Sequence, residues 1–216
     1  MQKKVVRVPE LVLGFDTETT GLDVANDRAI SYGFCVYRYG RLVASDHYFV
    51  IPDRPITDGA RRVHGLSLAD LAAKAPAQPV LSVEAGLTRA IDHLRSLQDQ
   101  GGYLVGANVA RFDLEMLRRS AQSVLGASLQ DATFDLSLLR VIDVIEHDLL
   151  IEPRSAARPR RGLTHLCEHY GVRPGGHDAL EDARAAVEVL CEQVVRNNAG
   201  QMSLELVADV ESVDAV

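Results

Sequence analysis

Leu11-Val12-Leu13-Gly14-Phe15-Asp16-Thr17-Glu18-Thr19-Thr20-Gly21 is the stretch on which the fold turns. Leu11 to Phe15 is a short apolar run of the kind that forms a buried strand, and it ends in an acid. Asp16 and Glu18 are two apart, so on a strand they point to the same face. Two carboxylates side by side repel one another unless a cation or a proton lies between them. A lone Asp-x-Glu is most often a solvated strand end. The apolar strand before this pair and the polar Thr19-Thr20-Gly21 turn after it favour a metal instead.

Further along the chain, residues 29–38 and 42–51 are rich in β-branched and aromatic residues. They read as two strands of a hairpin joined around Tyr39-Gly40-Arg41, and Pro52 and Pro55 then break the pattern. Residues 57–73 read as short helical pieces. Residues 82–99 carry Leu87, Ile91 and Leu94 on one helical face and stop before Gly101-Gly102. A fourth strand is expected at 103–107, a helix at 113–125, a fifth strand at 133–138, a helix at 162–170 ending at Gly171, and a long helix at 179–197. Three strands followed by alternating helix and strand imply an α/β domain, a mixed sheet flanked by helices. The expected organisation is a tail at 1–9, one domain at 10–197 and an acidic tail at 198–216.

No apolar run approaches the roughly 20 residues of a membrane helix, and the basic N-terminus lacks the apolar segment of a secretory signal. Cys35, Cys167 and Cys191 are far apart and odd in number, which suits reduced thiols and a cytoplasmic location. The net charge of -7 argues against a generic basic nucleic-acid binder. It does not exclude an enzyme whose carboxylates hold cations that in turn hold phosphate.

Two more segments carry chemistry. Asp113 follows the fourth strand and opens a helix. In Gly176-His177-Asp178-Ala179-Leu180-Glu181-Asp182, the spacing of Asp178 and Glu181 is that of a capping box. His177 then stands in a loop just before the helix, and Asp182 one turn inside it. Hard oxygen donors without cysteine favour Mg²⁺ or Mn²⁺ over Zn²⁺. The run 152–162 holds Arg154, Arg158, Arg160 and Arg161. It reads as a mobile loop, either solvated or tracking a nucleic-acid backbone.

Taken together, these motifs resemble those of the DEDDh 3′→5′ exonucleases, similar to the exonuclease domain of the DNA polymerase III epsilon subunit. Phe15–Gly21 resembles the first motif, Phe112-Asp113 the second and His177–Ala183 the third. Val63-His64-Gly65-Leu66-Ser67 and Leu166–Val172 match further signatures. Asn108-Val109 and Ser31-Tyr32-Gly33 depart from it. The resemblance implies a ribonuclease H-like fold with a central five-stranded mixed sheet. It implies two Mg²⁺ or Mn²⁺ ions on Asp16, Glu18, Asp113 and Asp182, His177 as general base, and Thr19, Val63, His64 and Phe112 around the terminal nucleotide. The expected substrate is a DNA 3′ end, single-stranded or frayed, releasing nucleoside 5′-monophosphates in proofreading or repair. RNA 3′ ends are the alternative substrate, and a DNA polymerase is a candidate partner.

Overall fold

A computed structural model of the chain describes residues 7–74, 77–126, 135–152 and 161–211, with side chains to Ala199. The apolar run becomes β1 (Leu11–Thr19), the third strand in from one edge of the sheet and a neighbour to both halves of it. β2 (Ala29–Arg38) and β3 (Arg41–Val50) form the expected antiparallel hairpin. Its two-residue turn has Tyr39 and Gly40 both at positive φ, the conformation that matches the twist of the flanking strands.

The remaining elements in order are α1 (Asp58–His64), α2 (Leu68–Lys74), β4 (Val80–Leu81), α3 (Val83–Asp99), β5 (Tyr103–Gly106), α4 (Asp113–Val124), β6 (Arg140–Asp143), α5 (Val144–Ile151), α6 (Leu163–Tyr170) and α7 (Ala179–Glu211). The sheet is mixed, in the order β4-β3-β2-β1-β5-β6.

Six strands stand where five were expected, because the two-residue β4 adds to the far side of β3. The last strand lies at 140–143 and not at 133–138. Residues 133 and 134 of that expectation fall outside the described residues, and Leu136–Leu138 form a 3-10 turn capped by Asp135. α5 was not anticipated, and α7 runs beyond residue 197.

Alternation along β1 sorts its side chains between two layers. Leu11, Leu13 and Phe15 join a core with α3 and α4 residues such as Leu87, Leu94 and Leu117. Val12 faces α7 and α6, among Val187, Leu190, Leu166 and Cys167. Asp16 and Glu18 continue the Val12 face, so the acids point towards α7. Helix and sheet approach closely there because β2 offers Gly33. A Cβ at Gly33 would sit 2.2 Å from the Ala179 carbonyl.

Candidate active site

β5 pairs with β1 only from Val12 to Gly14. Beyond that point β1 runs on alone on its β5 side, and the chain leaving β5 turns into α4. This opens a cleft at the carboxyl ends of β1 and β5, the usual place for a site on an open α/β sheet. Three segments meet there. β1 supplies Asp16 and Glu18. The first residue of α4 supplies Asp113, which is 4% exposed. α7 supplies Asp182 one turn from its start.

Asp113 and Asp182 are held in place by hydrogen bonds. Thr17 Oγ1 donates to Asp113 Oδ1 at 2.6 Å, tying α4 to β1. Asp178 caps α7, its Oδ1 accepting from the Leu180 and Glu181 amides, as the spacing implied. The carboxylate of Glu181 takes Arg184 at 2.6 Å. Asp182 Oδ2 accepts the His177 amide at 3.1 Å. His177 itself has φ +64, a conformation rare for a residue with a side chain. The loop before it crowds Asp182 so closely that a Cβ on Gly175 would lie 2.4 Å from Asp182 Oδ1.

The electrostatics follow from this crowding. Burial, then Asp113, Asp182 and Glu18, push Asp16 well above the usual carboxylate range. Burial and then Asp182 and Asp113 push Glu18 up to about 8. Asp113 rises to about 7 through burial, against the opposing Thr17 hydrogen bond. Asp182 is raised by burial, partly offset by His177. Neighbouring acids that resist ionising want protons or cations. Glu18, His177 and Asp182 each offer a ligand atom within 4.8 Å of the others. The donors are mostly hard oxygens, so the residues present fit a divalent ion of the Mg²⁺ or Mn²⁺ kind.

Two cavities meet at these acids, sharing Thr17, Glu18 and Phe112 in their walls. One, of about 580 Å³, also contains Thr19, Val63 and His64, the remaining residues expected around a terminal nucleotide. His64 accepts the Leu66 amide on Nδ1 at 3.0 Å, so Nε2 carries the proton and meets the Thr19 carbonyl at 3.1 Å. Burial lowers its pKa, consistent with a neutral ring. Val63 is 53% exposed, so it is not a core residue. The other cavity, of about 570 Å³, holds Asp16, Asp113, His177 and Asp182, and its far wall is Ile145 with Gly162, Leu163, Thr164 and His165.

Sequence reasoning gave no role to Thr17 or His165. Arg161 is a correction. It is buried and pairs with the fully buried Asp148 of α5, which also accepts the Tyr170 hydroxyl at 2.6 Å. It is therefore a structural anchor and not a cation on a nucleic-acid path. Arg154, Arg158 and Arg160 lie outside the described residues.

Comparison with known proteins places this cleft in context. A family profile described as exonuclease matches residues 13–190. DNA polymerase III PolC-type from Thermotoga maritima is 27% identical over 175 residues, covering 81% of this chain and 11% of that protein. Exonuclease I from Methylocaldum szegediense shares the fold with a TM-score of 0.68 at 21% identity, over 86% of this chain and 40% of the other. Escherichia coli exonuclease I in complex with a dT13 oligonucleotide gives a TM-score of 0.65 at 19% identity, over 91% and 43%. The chain thus spans less than half of either exonuclease I and about a tenth of PolC. Among the described residues, no helix is long and apolar enough to cross a membrane.

Proposed function

The chain belongs to the exonuclease family, of the DEDDh type related to the DNA polymerase III epsilon domain, and on that premise we propose that it is a metal-dependent 3′→5′ exonuclease releasing nucleoside 5′-monophosphates from DNA 3′ ends. The observation that carries the reading is the meeting of Asp16, Glu18, Asp113 and Asp182 from three separate segments, in surroundings that raise all four pKa values.

Asp16, Glu18, Asp113 and Asp182 would hold two Mg²⁺ or Mn²⁺ ions. When bound, such ions polarise the phosphodiester, activate water and stabilise the leaving oxygen. The protein's part is positioning and proton transfer. Thr17 holds Asp113 against β1, and the His177 amide holds Asp182. The His177 imidazole stands exposed at the cleft mouth and accepts a proton from the attacking water. A positioned imidazole is the side chain most often used for such a proton transfer. The P–O3′ bond breaks, leaving a new 3′ hydroxyl on the shortened strand and a 5′-monophosphate as product.

Thr19, Val63, His64 and Phe112 receive the terminal nucleotide in the first cavity. The polar atoms of Thr19 and His64 are already engaged with Gly21 and with Thr19 and Leu66. That leaves contact and stacking as the main means of grip, and stacking tolerates every base. The preference for DNA draws on the relatives, one named as a DNA polymerase and another crystallised with dT13. The exonuclease domain is taken as residues 10–197.

The test is a time course on matched DNA and RNA oligonucleotides labelled at the 3′ or the 5′ end. The 3′ label should leave at once as mononucleotide from DNA, while the 5′-labelled strand shortens stepwise. Early loss of the 5′ label would overturn the polarity, and faster trimming of RNA would overturn the substrate.

A further inference from the structure

We infer that His165 is a substrate-binding residue for the nucleotide upstream of the scissile bond, and that the second cavity is the subsite for it. This rests on the proposed exonuclease reading and extends it to the polymer side of the cut.

The two cavities share Thr17, Glu18 and Phe112, so Glu18 and Phe112 stand on the boundary between them, while Asp16, Asp113 and Asp182 line the second cavity. Around the first cavity lie the 19–27 turn and α1, a compact chamber suited to a chain end. A strand whose end occupies that chamber, with its last phosphodiester at the acids, must continue into the second cavity. At about 570 Å³, this space lies within the roughly 300–1,000 Å³ range of small-molecule sites. It is larger than a pair of ions requires.

Its walls have opposite characters. The sheet side presents carboxylates, whereas the α6 side presents Leu163, Thr164 and the imidazole of His165. His165 is exposed to the cleft, and its Nδ1 lies over Gly162, 3.7 Å from where a Cβ on that glycine would be. An imidazole can donate to a phosphate oxygen or stack on a base, and either grips a nucleotide of any sequence. The wall is fixed from behind. Arg161, the residue immediately before Gly162, is buried against Asp148 of α5, and Tyr170 at the far end of α6 donates to the same carboxylate. Both ends of α6 are therefore tied to α5, and His165 is presented at a set position across from the acids.

The experiment compares two substrates on the full chain with Mn²⁺: a dT oligonucleotide, and the p-nitrophenyl ester of thymidine 5′-monophosphate, which has no upstream nucleotide. For His165→Ala the ratio of kcat/KM for the oligonucleotide to that for the ester should fall about tenfold, mainly through a raised KM for the oligonucleotide. His165→Asn, which keeps a donor, should recover part of the loss if the contact is a hydrogen bond to phosphate. A full loss in His165→Asn with a full loss in His165→Ala points to stacking within the same subsite and also supports the assignment. An unchanged ratio, whether both substrates slow together or neither does, overturns it. Failure of the unsubstituted protein on both substrates would instead count against the exonuclease reading itself.

Discussion

Replacing Glu18 by Gln should stabilise the metal-free protein at alkaline pH while removing its activity. Glu18 is 7% exposed, and its pKa is raised from 4.5 to about 8, first by burial and then by Asp182 and Asp113. A carboxyl whose folded pKa is raised favours the folded state most when protonated. Its contribution is fully present below about 4.5 and is lost as pH rises through 8. At about 1.4 kcal/mol per pKa unit, ionising Glu18 in the folded state costs about 4 kcal/mol at pH 8. At pH 5 the cost is about 1 kcal/mol by the same relation. Gln has the shape of the protonated acid and no charge to lose. For a domain of this size 1 kcal/mol moves Tm by about 2–4 °C, so the variant should melt about 8–16 °C above the natural protein at pH 8. The assay is thermal unfolding by circular dichroism in EDTA, from pH 5 to pH 8.5. At pH 5 the gap should narrow to a few degrees. Saturating Mn²⁺ should raise the Tm of the natural protein by more than that of the variant. A gap that stays constant with pH, or a variant that melts lower in EDTA at pH 8, would refute the reasoning.

Other expectations follow from individual contacts. Asp16→Ala should abolish Mg²⁺-dependent nucleotide release in a protein that remains folded, and turnover by the pure variant would contradict the site. His177→Ala should lose most of kcat yet still bind Mn²⁺ in calorimetry; since its imidazole is close enough to share a cation, loss of binding would make it a ligand and not a base. Gly33→Ala puts a Cβ 2.2 Å from the Ala179 carbonyl. Overpacking of this kind costs about 1–3 kcal/mol and should also depress activity by displacing the start of α7; a normal Tm and normal rate would show that the close approach is unimportant. Arg161→Ala removes the cation from the fully buried Asp148. Breaking such a pair costs about 3–5 kcal/mol, measurable by urea unfolding, whereas a loss of DNA affinity at unchanged stability would restore Arg161 to a nucleic-acid path.

Much of the fold could be read from pattern because its signals are local. The β2–β3 hairpin announced itself through two β-rich runs around Tyr39-Gly40, and the α7 start through Asp178. The gathering of the acids followed from two-residue alternation in β1 and from the family motifs. What escaped depended on distant partners. In Arg140–Ile151 seven of the twelve residues are apolar, so β6 and α5 run together, and only Asp143 capping Ile145 marks the boundary. β4 has two residues and exists because Phe49 and Val50 lie beside it. Arg161 looked like one of four solvated cations because its partner Asp148 sits in that unread helix. His165 occupies an ordinary polar position in α6 and belongs to no motif. Only the folding of α6 across the cleft brings it opposite Asp16.

The central claim is that four clustered acids collect divalent cations. Anomalous diffraction from crystals soaked in Mn²⁺ with a nucleoside 5′-monophosphate tests it directly. Two peaks should appear among the carboxylates of Asp16, Glu18, Asp113 and Asp182, with the phosphate beside them. Density that stays featureless between those four side chains at saturating Mn²⁺, or peaks confined to other parts of the molecule, would contradict the account.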